Sequence, residues 1–273
     1  VGYQLLALDL DGTVLDSEVG QGISAQVRQA VAEAQARGVR VTLATGRMFG
    51  STMPFVAALG ICDPVICYQG GMVRHPQTGQ IYQHTLMPAE PASEAAELLI
   101  RSDIFVVAYV DERLCVAERR PELATYLHYH HEEVEVVVEP NLPDLLRATP
   151  PTKLLFEAEP DRVGPVLELL GERFGGLIST VRSHARFGEL TPLGISKGTA
   201  LATLAAQLGI EREQVVAIGD HENDIPMITW AGLGLAMGNA IEPAKRAADA
   251  VIPSVRDDGV AWAIRRYILG IEN

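Results

Sequence analysis

Cysteine is scarce in this 273-residue chain: Cys62, Cys67 and Cys115 are the only three, an odd number with no Cys-x-x-Cys pair. That count argues against a disulfide framework and against a zinc site, and the three thiols are expected as small buried hydrophobes. Long apolar runs are missing too. The longest uncharged stretch, 225–241, is broken by Pro226, Gly232, Gly234, Gly238 and Asn239 and makes a poor membrane span. No basic region leads into an apolar one before Asp9, which argues against a secretory signal. Positive charge is outnumbered, with 22 Lys and Arg against 35 Asp and Glu and a formal net charge of −13. Broad binding to nucleic acid or to anionic membranes is therefore not expected. The expectation is a soluble, cytoplasmic protein, and a phosphate ligand would need local cations to offset the acidic field.

What the chain does have begins at residues 5–13, Leu-Leu-Ala-Leu-Asp-Leu-Asp-Gly-Thr. A short apolar run that can be buried on both faces predicts a central parallel strand. In open α/β sheets the ligand crevice lies beyond the carboxyl ends of the strands, so Asp9 and Asp11 are expected in a site, with Gly12 turning the chain away. Two acids one residue apart suit phosphoryl transfer: a hard cation bridges carboxylate and phosphate, one acid attacks phosphorus and the other handles the proton. Taken alone, the stretch also fits a surface Asp-Gly turn.

The rest of the chain decides between the two readings. Residues 24–37 carry Val27, Ala30, Val31 and Ala34 at helical spacing behind Ser24 as N-cap, and strand 39–44 follows, a right-handed βαβ unit. It ends in Thr45-Gly46-Arg47, where a hydroxyl and a glycine amide can donate to phosphate oxygens. Strand 64–68 ends in Gln69-Gly70-Gly71. From about His84 the pattern changes to adjacent strand pairs mixed with helices, including a hairpin turning at Asp111-Glu112 and a run 134–138 expected as a buried strand, which predicts an α+β insert with an antiparallel sheet. Beyond Arg186 simple alternation returns: Ser196-Lys197-Gly198 opens a helix, and strand 215–218 ends in Gly219-Asp220 and, shortly after, Asn223-Asp224. Asp9, Asp11, Asp220 and Asp224 thus converge at strand ends, where their repulsion calls for a cation such as Mg²⁺, and Lys197 supplies the point charge that holds a phosphate.

These segments, together with Ala236-Met237-Gly238-Asn239-Ala240, resemble the four ordered motifs and trailing glycine turn of the haloacid dehalogenase superfamily, most closely its Cof-type phosphatases with a large C2-type cap. The resemblance implies an α/β fold: a Rossmann-like doubly wound parallel sheet core, 1–83 and 186–273, with an inserted α+β cap, 84–185, that selects the substrate. It implies Asp9 as nucleophile and Asp11 as acid/base. Mg²⁺ would be held by the Asp9 side chain, the Asp11 main-chain carbonyl and the Asp220 side chain, with Asp224 orienting the metal's water shell. Thr45, Gly46, Lys197, Asn223 and the Leu10 amide would bind the phosphoryl group. One departure is Gln69-Gly70-Gly71 in place of the family's usual Asn-Gly-Ala.

The expected activity is a Mg²⁺-dependent phosphatase acting on a small phosphorylated metabolite, a sugar phosphate being the favoured class. A phosphomutase, which passes the aspartyl phosphate to a substrate hydroxyl, and a silent module that only binds a phosphorylated ligand are the alternatives; the acids at Asp9 and Asp11 speak against the latter. His128, His130 and His131 imitate a metal cluster, but adjacent helical positions point apart, and a solvated or partner-facing patch is expected. His221 is expected beside the pocket.

Overall fold

Leu5–Leu8 is buried along its whole length, as a four-residue run without a polar side chain must be if both faces of its sheet are covered. In the computed structural model, which describes residues 2–16, 22–130 and 134–271, it lies inside a five-stranded sheet ordered Ala250–Val251, Leu233–Ala236, Val215–Gly219, Leu5–Leu8, Arg40–Leu43. Every pairing in this sheet is parallel. Leu5 and Ala7 share one cluster with Val215, Ala217 and the buried face of helix Lys197–Leu208, namely Ala200, Leu201, Leu204 and Ala205. Each fully buried leucine there contributes roughly 1.5–3 kcal/mol. Helix Ala25–Ala36 buries Val27, Ala30, Val31 and Ala34, and Ser24 caps it by accepting from the Val27 amide at 3.1 Å. Strand Val65–Cys67 joins the sheet edge through a parallel bridge between Ala44 and Ile66 and turns back, antiparallel, into Met72–Arg74.

The chain divides into two compact units, residues 1–82 with 196–273, and residues 83–195. The second unit holds a six-stranded sheet ordered Ile178–His184, Phe187–Pro192, Lys153–Glu157, Phe105–Val110, Arg113–Val116, Val136–Val138. Alternate residues Val106, Ala108, Val110, Leu154, Phe156 and Leu190 form its core with apolar residues of helices Ala89–Arg101, Leu142–Ala148 and Pro160–Phe174. The hairpin turn falls at Asp111 and Glu112, both at positive φ, 49° and 61°.

Four expectations need correction. Residues 186–195 were expected in the parallel core, but Phe187–Pro192 pairs antiparallel with both Ile178–His184 and Lys153–Glu157, so the second unit runs on to Ile195. The alternation that follows Arg186 therefore begins one strand later than its hydrophobicity suggests. Val136–Val138 is an edge strand, parallel to Arg113–Val116, and Val138 is 42% exposed, so it is not buried. Leu142–Ala148 is a helix that the expected insert did not include; Pro143 sits in its first turn, where the missing amide hydrogen is no loss. Cys67 and Cys115 are buried but Cys62 is exposed. Of the histidine patch, His131 lies outside the described residues, and His128 and His130 are described only as backbone of helix Pro121–His130.

Candidate active site

The strand Leu5–Leu8 delivers Asp9 to the carboxyl edge of the sheet, 4% exposed and with its amide bonded to the Ile218 carbonyl of the neighbouring strand at 3.0 Å. That neighbour, Val215–Gly219, delivers Asp220 beside it. Asp224 follows one short turn later and is fully buried. Oxygens of Asp9, Asp220 and Asp224 lie within 4.8 Å of one another. Gly219 makes room for this packing, because a side chain there would collide with Asp224, and Gly12, at φ +83°, does the same for Asp220.

Lys197 reaches two of the three acids, Asp9 and Asp224, from the first turn of its helix. Its Nζ donates to Asp9 Oδ1 at 2.5 Å and to Asp224 Oδ1 at 2.6 Å, and it is 1% exposed. The helix start is fixed by a reciprocal cap in which Ser196 accepts from the Thr199 amide and Thr199 accepts from the Ser196 amide. Asp224 is saturated, since its Oδ2 accepts from the amides of Asp220 at 2.9 Å and His221 at 3.0 Å. Asp220 Oδ1, by contrast, is buried and has no partner among the described residues.

Three carboxylates, Asp9 and Asp224 buried and Asp220 half-buried, against one lysine leave the cluster short of positive charge. Burial, and then the nearby Asp224, push the Asp9 carboxyl from its ordinary 3.8 up to about 7, against the pull of Lys197. Asp220 is raised well above 3.8, by burial and then by Asp9 and Asp224. Burial alone would lower Lys197, but Asp224 and Asp9 override it and hold its ammonium charged far into alkali. A divalent cation would relieve the strain, and the donor set fits one: hard carboxylate oxygens, one of them an orphaned buried atom.

Thr45, Gly46 and Arg47 occupy the end of the next strand. Thr45 is 1% exposed, and its Oγ1 accepts from the Arg47 amide at 3.1 Å. Gly46 stands between them, half-buried. Arg47 grips Asp11 with two bonds, Nε to Oδ2 at 2.9 Å and a terminal guanidinium nitrogen to Oδ1 at 2.8 Å. Leu10 is fully buried between the two acids, and its carbonyl accepts from Val14 and Leu15 to close the turn. Asn223 donates from Nδ2 to Gln69 Oε1 at 3.0 Å, while its own Oδ1 is buried without a partner among the described residues. Of the four buried side-chain oxygens lacking a partner among the described residues, three, Thr13 Oγ1, Asp220 Oδ1 and Asn223 Oδ1, belong to these loops. His221 borders the site, bonding Asp224 through its amide.

The structure thus gathers Asp9, Asp220, Asp224 and Lys197 into one direct constellation, with Asp11 tied to Arg47 and Asn223 to Gln69. The sequence reading missed three supports. Arg47 was named in its motif without its bond to Asp11. Gln69 was marked only as a departure. Asn239, seen only as part of a glycine turn, donates to the Gly12 carbonyl at 2.8 Å and accepts from the Val255 amide at 2.9 Å, which braces the loop after Asp11. Spacing carries no signal for the Arg47 and Gln69 bonds, which join residues 36 and 154 positions apart.

A family model for haloacid dehalogenase-like hydrolases matches residues 6–264. Among curated proteins, YxeH of Bacillus subtilis is 30% identical over 98% of this chain and 99% of its own length. The 5-amino-6-(5-phospho-D-ribitylamino)uracil phosphatase YcsE, also of Bacillus subtilis, is 30% identical over 98% of this chain and 97% of its own. The crystal structure of a haloacid dehalogenase-like hydrolase from Bacteroides thetaiotaomicron superposes with a TM-score of 0.83 at 31% identity, covering 97% of this chain and 99% of that one. No helix among the described residues is long and apolar enough to cross a membrane. Motif order, the acid cluster around Lys197 and these whole-length matches agree: the chain belongs to the haloacid dehalogenase-like hydrolases.

Proposed function

We propose that this hydrolase is a Mg²⁺-dependent phosphatase that cleaves a small phosphorylated metabolite, a sugar phosphate by class, through a covalent aspartyl phosphate on Asp9. The observation that carries the reading is the Lys197 bridge between Asp9 and Asp224, set beside Asp220 with its unpartnered oxygen. In the proposed roles Asp9, the Asp11 main-chain carbonyl and Asp220 hold the metal. Asp224, whose two oxygens are already occupied, positions Lys197 and the metal's water shell. Bound there, the cation supplies positive charge between carboxylate and phosphate.

Asp9 attacks phosphorus, the bond from phosphorus to the leaving oxygen breaks, and Asp11 gives that oxygen a proton. Water then attacks the aspartyl phosphate, Asp11 takes its proton, and inorganic phosphate leaves with the Asp9 carboxylate restored. Lys197, Thr45, Asn223 and the amides of Leu10 and Gly46 hold the phosphoryl oxygens throughout, stabilising charge as it develops. Selection of the leaving group falls to the inserted unit, which has its own sheet and core. The phosphorylated ribityl group in the name of YcsE supports a small polyol phosphate as the substrate class. The net charge of −13 speaks against nucleic acid and membrane partners, and three free cysteines accord with a cytoplasmic setting.

The test is a screen of phosphorylated metabolites for phosphate release by the purified protein with Mg²⁺ and with excess chelator. Metal-dependent release, stoichiometric with dephosphorylated product, is expected from small sugar phosphates. Transfer of the phosphoryl group to a second hydroxyl without free phosphate, or no turnover of any monoester, would contradict the proposal.

A further inference from the structure

Tyr68 and Gln69 both hold left-handed backbone, at φ 53° and 59°, although neither is glycine. Strain of this kind persists only where surrounding structure fixes it, and it clusters at functional sites. Here the fixing groups belong to the loops already described. The Tyr68 amide donates to the Arg47 carbonyl at 3.0 Å and the Gln69 amide to the Thr45 carbonyl at 3.1 Å. Gly70, at φ +101°, lies so close to the Ser196 carbonyl, one residue before Lys197, that a side chain there would collide with it. The Gln69 side chain, 3% exposed, then accepts from Asn223 at 3.0 Å. A single strained turn therefore touches three loops, those of Thr45, Lys197 and Asn223.

An asparagine amide presents a donor at one end and an acceptor at the other, so it is useful to a phosphoryl oxygen only if its orientation is fixed. Gln69 Oε1 is the acceptor that fixes it. One Nδ2 hydrogen is committed to Gln69, and the second remains for a phosphate oxygen. With that acceptor removed, the amide of Asn223 is free to turn its oxygen toward an anion and repel it.

We infer that Gln69 is a positioning residue for the phosphoryl site, acting through Asn223. The inference rests on the phosphatase reading given above.

The test compares the parent, Gln69→Met, Gln69→Asn, Asn223→Ala and the double variant Gln69→Met/Asn223→Ala. Two readouts are taken with each, hydrolysis of an activated aryl phosphate and inhibition by inorganic phosphate. Gln69→Asn is the safeguard against misfolding, because asparagine tolerates left-handed backbone while its amide falls short of Asn223. Both Gln69 variants are expected to weaken phosphate inhibition about tenfold and to lower kcat/KM by a similar factor, as the loss of one oriented charge-assisted bond would do. In the double variant the loss should equal that of Asn223→Ala alone. Parent-like phosphate inhibition in Gln69→Asn, or losses that multiply in the double variant, would overturn the inference. Failure of the phosphatase reading looks different: the parent itself would neither hydrolyse the ester nor bind phosphate.

Discussion

Arg47 holds Asp11 by two parallel bonds, at 2.9 and 2.8 Å, with the arginine side chain 3% exposed and the aspartate side chain 27% exposed. A guanidinium fork matches a carboxylate in geometry as well as charge, so it fixes where both oxygens point. In the proposed mechanism Asp11 takes a proton from water in the second half-reaction, and this grip would aim it for that step.

Arg47→Met should therefore act on turnover rather than on substrate binding. Asp11 is exposed enough to be hydrated when its partner is lost, so the fold should survive. A misdirected catalytic group costs on the order of 10²-fold in rate. Steady-state kinetics on a small phosphate ester should show kcat down by about 10- to 100-fold with KM near the parent value. An unchanged kcat would remove Arg47 from the mechanism.

Lys197→Met should damage both activity and stability. The lysine is the one cation bonded to Asp9 and Asp224 among the described residues, and its removal leaves two buried carboxylates facing each other. Breaking such a buried pair costs about 3–5 kcal/mol. Denaturant melts of the metal-free protein should show a loss of that order, together with weaker inhibition by phosphate. Parent-like stability and phosphate binding would show that the bridge contributes nothing.

The acid cluster also predicts how stability depends on pH. A carboxyl group raised in the fold binds protons that the unfolded chain has already released. Its contribution is complete below the unfolded value and is lost as pH rises through the folded one. For Asp9 that window runs from 3.8 to about 7, and Asp220 adds to it in the same direction. Lys197 is raised as well, so its contribution persists across this window and fades only in strong alkali. Metal-free protein should lose stability from these groups between pH 4 and pH 7, approximately. Mg²⁺ should restore it, with a thermal shift that grows as pH rises. A Mg²⁺ shift that is largest at acid pH would contradict this account of the cluster.

Gly12→Ala tests the close packing behind the metal proposal. Gly12 has φ +83°, and an added Cβ would collide with the Asp220 carboxylate. Displacing a ligand's surroundings typically costs 10- to 100-fold in metal affinity. Calorimetric titration with Mg²⁺ should show a loss of about that size, while an affinity equal to the parent's would mean that Asp220 is not a ligand.

Much of this site was legible because strand ends are written locally. Leu5–Leu8 and Val215–Gly219 are uninterrupted apolar runs, and the polar residues that follow them can only project beyond the sheet. The sequence therefore pointed to Asp9, Asp220 and Lys197 as neighbours although the lysine and Asp9 are 188 positions apart. The bonds from Arg47 to Asp11 and from Asn223 to Gln69 were not legible, since they depend on side-chain reach and on the left-handed turn at Gln69, which no residue type there announces. The end of the second unit was misread for a related reason. Phe187–Pro192 has the same short buried character as a core strand, and only its antiparallel partners reveal its sheet.

The central claim is that Asp9 becomes the phosphorylated residue. Enzyme mixed with Mg²⁺ and a small phosphate ester, quenched in acid within the first turnover and mapped by peptide mass spectrometry, tests it most directly. The account predicts an acyl phosphate on the peptide that carries residues 5–13, located at Asp9, and absent from Asp9→Asn. A phosphoryl group on any other side chain, or rapid phosphate release by Asp9→Asn, would contradict it.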